Sequence, residues 1–169
     1  MEQHEMTTID GAAHSIYCLS MRFCDAVNTK EVSAENAEEW LALLMELYVG
    51  AMRLPEIEPD DDSISRKKNA IPQPVIKCRS DYWEVFDPFE FEEPVCGDLR
   101  DDLQDIYDDL RTGIREYEAG RKNNAIWDWK FGVDNHWGQH AVDAIRALHS
   151  IRVNKQFAHR EQTQGKRRE

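Results

Sequence analysis

Apolar positions recur at helical spacing in four segments of the chain and lose that period between residues 55 and 96. At roughly 100° per residue, Ile16, Leu19, Phe23, Ala26 and Val27 share one face, which predicts a first helix over residues 12–28. A second helix is expected to open at Ser33, an N-cap residue type followed by acids, and to run to Met52. Its apolar residues, from Trp40 to Met52, surround almost the whole circumference. Such a helix is either central to a bundle or shared with a partner chain. A third is predicted from Gly97 or Asp98 to Ala119, with Gly120 as its stop. A fourth begins at Asn123 or Asn124 and continues to Ile151 or beyond. Gly132 and Gly138 inside it would each cost about 1 kcal/mol relative to Ala if exposed, so they imply close packing or a kink.

The six prolines all lie between Pro55 and Pro94. Residues 55–77 read as irregular surface chain, with acids from Glu58 to Asp62 followed by Arg66-Lys67-Lys68. The stretch Asp81-Tyr82-Trp83-Glu84-Val85-Phe86-Asp87-Pro88-Phe89-Glu90-Phe91 is too aromatic for a free linker. It is expected to lie over the helices as a short helix ended before Pro88. No run alternates in polarity, so no sheet is expected. The fold class is therefore all-α: an up-and-down, four-helix-like bundle. A long irregular proline-rich connection, residues 55–96, joins its second and third long helices. Residues 1–151 form one helical domain, and residues 152–169 form a basic C-terminal tail expected to be partly disordered.

A chain of 169 residues is long enough to bury roughly two thirds of its unfolded surface in one core. No apolar run approaches the roughly 18–20 residues that span a bilayer, and Met1-Glu2-Gln3-His4-Glu5 does not begin a secretory signal. The expected location is the cytoplasm, with no membrane partner. Cys18, Cys24, Cys78 and Cys96 match no zinc-site spacing and read as reduced thiols. The net charge is −12, yet residues 152–169 carry a surplus of +4, which leaves −16 on residues 1–151. That body would repel nucleic acid, which is not an expected partner.

Candidate chemistry sits in two places. On the third helix Asp98, Asp102, Asp105 and Asp109 cluster at the edge of the apolar stripe made by Leu99, Leu103, Ile106, Leu110 and Ile114. Like charges at this spacing repel by a few tenths of a kcal/mol per pair. The helix dipole, a neighbouring base or a divalent cation could offset that. On the fourth helix His136 and His140, four residues apart, fall within the face of Trp129, Val133, Trp137 and Ala144, with Asp143 at its margin. Two imidazoles so placed either join a hydrogen-bonded core or form a binding site. A metal site would draw on His136, His140 and Asp143 together with Asp102, Asp105 or Asp109. A pocket lined by Trp129 and Trp137 over the two rings would suit a planar ligand. No cofactor is expected; a divalent metal is the alternative. Nucleophile-elbow, phosphate-loop and dinucleotide fingerprints are absent.

Three patches taken together, Tyr82-Trp83-Glu84-Val85-Phe86-Asp87-Pro88, the Asp-rich run from Gly97 to Leu110, and Trp127 to His149, resemble the uncharacterised bacterial family domain of unknown function 5063. The resemblance reaches from the first helix to Ile151 and leaves the basic tail outside. It implies a bacterial, helical, single-domain protein and supplies no catalytic residues. The residues themselves point first to a protein-interaction or regulatory module, a homodimer through the helix at 33–52. The alternative is a metal-dependent, hydrolase-like enzyme. A third reading is an acidic mimic of nucleic acid.

Overall fold

Five helices carry the described part of the chain: α1 (Glu2–Thr29), α2 (Ala37–Met52), α3 (Leu99–Glu118), α4 (Lys122–Asn135) and α5 (Trp137–Val153). This computed structural model describes residues 2–60 and 72–154, with side chains from Ile9 onward. The base cluster Arg66-Lys67-Lys68 and the tail from Lys155 lie outside the described residues. Among the described residues no helix is long and apolar enough to cross a membrane.

The chain is mainly helical, as its periodicity predicts, with corrections at particular joints. The second helix starts at Ala37, not at Ser33. Asn36 stands at its N-cap, and the Asn36 Oδ1 accepts the Ser33 backbone N–H at 2.8 Å, so Ser33 closes the turn before the helix. Helix α2 packs against α1, α4 and α5 through Trp40, Leu44, Leu47 and Ala51, while Met45, Val49 and Met52 remain exposed. The third helix is capped at Asp98, whose Oδ1 accepts the Arg100 N–H at 2.8 Å. It ends where Gly120, at φ 81°, lets the Gly120 and Arg121 N–H groups donate to the carbonyls of Tyr117 and Glu116.

The predicted fourth helix is two helices. His136 leaves helical geometry at φ −148°, ψ −86°, closing α4 and opening α5. The two glycines are where this break folds onto itself. A Cβ on Gly138 would lie 1.8 Å from the Val133 carbonyl oxygen, and one on Gly132 would lie 2.6 Å from Trp137 Cδ1. The core runs between α3 and the helices around it, α1, α4 and α5. It is filled by Phe23, Leu47, Leu103, Ile106, Leu110, Trp129 and Trp137.

Two small ladders overturn the expectation of no sheet. Strand β1 (Glu31–Val32) pairs in parallel with β2 (Val75–Ile76), burying Val32 and Ile76. Strands β3 (Asp81–Glu84) and β4 (Val95–Asp98) pair antiparallel, with Tyr82 opposite Gly97 and Trp83 opposite Cys96. The segment expected as a short helix before Pro88 is therefore extended. Strands of two and four residues are too short to register as a period in the sequence. The connection is tied down by α3, where Gln104 Nε2 donates to the Pro72 carbonyl (2.9 Å) and Arg100 Nη1 to that of Pro74 (2.8 Å).

Candidate functional site

The buried stripe of α3 faces inward through Leu99, Leu103, Ile106, Leu110 and Ile114, which leaves Asp102, Asp105 and Asp109 at its margin beside α5. Three carboxylates and two imidazoles meet there. His140 Nδ1 lies 3.1 Å from Asp102 Oδ1, and its Nε2 lies 3.5 Å from Asp105 Oδ2. His136 Nδ1 lies 2.7 Å from Asp109 Oδ2. The two rings stand edge to face with centroids 5.2 Å apart. They do not both point inward as one continuous helix would require. The break at His136 swings its side chain outward to 54% exposure, while that of His140 is 31% exposed.

Other sequence-predicted members go elsewhere. Trp129 and Trp137 are fully buried; Trp129 Nε1 donates to the Leu110 carbonyl at 3.4 Å, and Trp137 Nε1 finds no partner among the described residues. The cleft next to His136, about 190 Å³, is walled by Asp109, Thr112, Asp128, Phe131 and Gly132 instead. Asp143 acts on His140 by its charge, but among the described residues its hydrogen bonds and ion pair go elsewhere. It is buried, accepts from Gln139 Nε2 at 2.8 Å and lies 3.7 Å from Arg146 Nη2. Asp98 is spent on the helix cap and on Ser80 Oγ at 3.2 Å. With Asp98 capping and Asp102 only 5% exposed, two of the four α3 acids do not face outward as a row of surface charge. Among the described residues, no group of three or more His, Cys, Asp and Glu is arranged to hold a metal ion.

What the cluster does hold is the β3–β4 hairpin. Along β3 the side chains alternate: Tyr82 and Glu84 face the helices, Asp81 and Trp83 face outward. The Tyr82 ring crosses Gly97 on the paired strand, where a Cβ would lie 2.7 Å from its Cζ, and its hydroxyl donates to Asp102 Oδ2 at 2.5 Å. Asp102 thus ties α3 to both β3 and α5. Arg146 of α5 donates to the Trp83 carbonyl at 2.9 Å, and its guanidinium lies 5.7 Å from the centre of the Tyr82 ring. Leu99 N–H donates to the Ser80 carbonyl at 2.9 Å.

Electrostatics follow from this crowding of acids. Burial raises Asp102 above the ordinary carboxylate range, while hydrogen bonds from His140 and Tyr82 pull it back down. The hydrogen bond to Asp102 raises His140 above its ordinary value, against the opposing effect of burial. Burial first, then the charges of Asp143 and Asp102, raises Glu84, which also shares a hydrogen bond with Asp143. Asp102, Glu84 and His140 are thus all raised, in a cluster where carboxyl groups outnumber bases.

From this root an arm projects. Phe86 is exposed, Phe89 is 94% exposed and Phe91 fully so. The tip is nevertheless ordered by its own hydrogen bonds. The Phe89 N–H donates to Asp87 Oδ1 at 2.9 Å, and the Glu90 N–H donates to the Asp87 carbonyl at 3.3 Å. Asp at the first and Pro88 at the second position of such a turn each favour it, the acid by accepting locally and the proline by its fixed φ. The aromatic segment does not lie over the helices as expected, because of its rings only that of Tyr82, half-buried, packs against the core.

A profile of the family described as Domain of unknown function (DUF5063) matches residues 7–154. The chain belongs to this family. None of the curated proteins matches it. The crystal structure of protein BF1032 from Bacteroides fragilis, a structural-genomics target, is similar at a TM-score of 0.61 and 20% identity, covering 82% of this chain and 93% of that one. At that identity the likeness concerns the fold alone.

Four residues of the DUF5063 chain's polar cluster escape a helix-based reading: Tyr82, Glu84, Gln139 and Arg146. One signal for the first two is present in the sequence. Asp81-Tyr82-Trp83-Glu84 and Val95-Cys96-Gly97-Asp98 can pair, and a glycine across from an aromatic residue leaves room for its ring.

Proposed function

We propose that the chain is a cytoplasmic protein-interaction module whose working part is the aromatic arm at residues 86–94. In this reading the histidine–carboxylate cluster anchors the arm and performs no chemistry. The observation that carries it is the presentation of Phe89 and Phe91 in open solvent on a hydrogen-bonded turn. Burying a phenylalanine side chain stabilises a fold by roughly 1.5–3 kcal/mol. Two rings left outside forgo an amount comparable with a large share of a small domain's net stability. Ordered apolar side chains held in water suit a partner's surface, since a turn formed in advance lowers the entropy cost of docking.

The test places a photoreactive phenylalanine analogue at position 89 of the full chain in the cells that make it. A discrete adduct is expected from that position and none from the exposed control position Thr29. Absence of any adduct beyond the control would refute the reading.

A specific observation favours self-association as a second role. Met45, Val49 and Met52 form an exposed apolar stripe on α2, at the spacing of one helix face. Light scattering should then give the mass of a dimer that Val49→Glu converts to monomer, and a wild-type monomer at every concentration would remove this role.

A further inference from the structure

We propose that the arm's partner is a protein surface carrying an apolar groove rimmed by lysine or arginine side chains. This rests on the reading of the arm as a docking element, and extends it to the chemistry of what is docked. The segment Phe86-Asp87-Pro88-Phe89-Glu90-Phe91-Glu92-Glu93-Pro94 carries three phenylalanines, four acids and no base. All nine residues are exposed. Rings and carboxylates are interleaved, so no surface can cover Phe89 and Phe91 without also approaching Glu90 and Glu92. A carboxylate brought against an apolar or acidic surface loses water without gaining a partner, a cost that basic groups at the rim remove.

The backbone argues for recognition through side chains. Pro88 and Pro94 lack N–H donors, and the Phe89 and Glu90 N–H groups are already bonded to Asp87, which leaves little ladder to offer a partner strand. The body of a second copy fits this arm poorly, because residues 1–151 carry a net charge of −16. An anionic lipid surface is repelled for the same reason.

The experiment titrates the full chain with three labelled amphipathic helical peptides of equal length and identical apolar face, whose polar faces are lysine, glutamine or glutamate. Two variants accompany it, Phe89→Ala/Phe91→Ala and Glu90→Gln/Glu92→Gln/Glu93→Gln. Because every altered side chain is exposed, both should fold as the parent does. The lysine peptide is expected to bind about tenfold or more tighter than the glutamine peptide, with affinity falling as salt rises, and either variant should abolish that advantage. Equal binding of the lysine and glutamine peptides, lost only in the phenylalanine variant, would overturn the basic rim and leave the docking arm standing. Lysine-peptide binding that survives Phe89→Ala/Phe91→Ala, or its complete absence, would overturn the proposal together with the docking reading.

Discussion

Trp137 and Phe89 are both large apolar side chains, yet the first is fully buried and the second almost fully exposed. Trp137 lies on α5 at helical spacing from Ala141, Ala144 and Leu148, so a packed face carries it into the core whatever its indole N–H finds there. That N–H is in fact left without a partner. Phe89 stands between a proline and an acid on a turn whose hydrogen bonds are internal, so no periodic face exists to turn it inward. The difference teaches that burial here follows whether a residue lies on the packed face of a helix, not its hydrophobicity alone. Trp129 and Trp137 of the helices are buried in the core, whereas Phe86, Phe89 and Phe91 of the arm are exposed.

The largest effects should come from the buried set. Trp129→Ala or Trp137→Ala is expected to cost about 3–5 kcal/mol in urea denaturation, the range for an aromatic deleted from a packed core. A loss below about 1 kcal/mol from either would erase the contrast between the two regions.

Between the extremes lies the joint that separates them. Gly97→Ala pushes a methyl group into the Tyr82 ring and should cost about 1–3 kcal/mol. Tyr82→Phe removes the donor to Asp102 and should cost about 1.5 kcal/mol. Both should speed amide exchange across residues 81–98 and leave α1 and α2 protected. Uniform acceleration through all five helices would show instead that the hairpin belongs to the core.

A smaller effect concerns pH. Contact with Asp102 raises His140 above its ordinary value of 6.5, so the folded state binds its proton more tightly than the unfolded state. That stabilisation is complete below the unfolded value and disappears as pH rises through the folded one. Glu84, raised chiefly by burial, acts in the same sense at lower pH. The urea midpoint should therefore fall as pH rises above the ordinary histidine value of 6.5, and His140→Gln should flatten the fall. A midpoint that rises with pH above 6.5 would contradict the arrangement of charges.

The helices were readable because their apolar faces persist over many turns: Leu99, Leu103, Ile106, Leu110 and Ile114 predict the inward face of α3, and the structure buries all five. The same geometry set Asp102, Asp105 and Asp109 beside the histidines. The break at His136 was not readable. It depends on Gly138 meeting the Val133 carbonyl, a contact across the turn that no hydrophobic period reports. Asp143 lies on α5 with His140 and acts on that ring by its charge, while its hydrogen bonds go to Gln139 and Glu84. The hairpin was hidden because its strands are four residues long and separated by ten residues, all but Val85 acids, aromatics or prolines.

The most direct measurement is the urea midpoint of the full chain carrying Phe89→Ala and Phe91→Ala together. If the two rings take no part in the fold, stability stays within about 0.5 kcal/mol of the parent. A loss of about 3 kcal/mol or more would mean that both rings pack in the folded protein, and the arm would then be a piece of core and not a docking element.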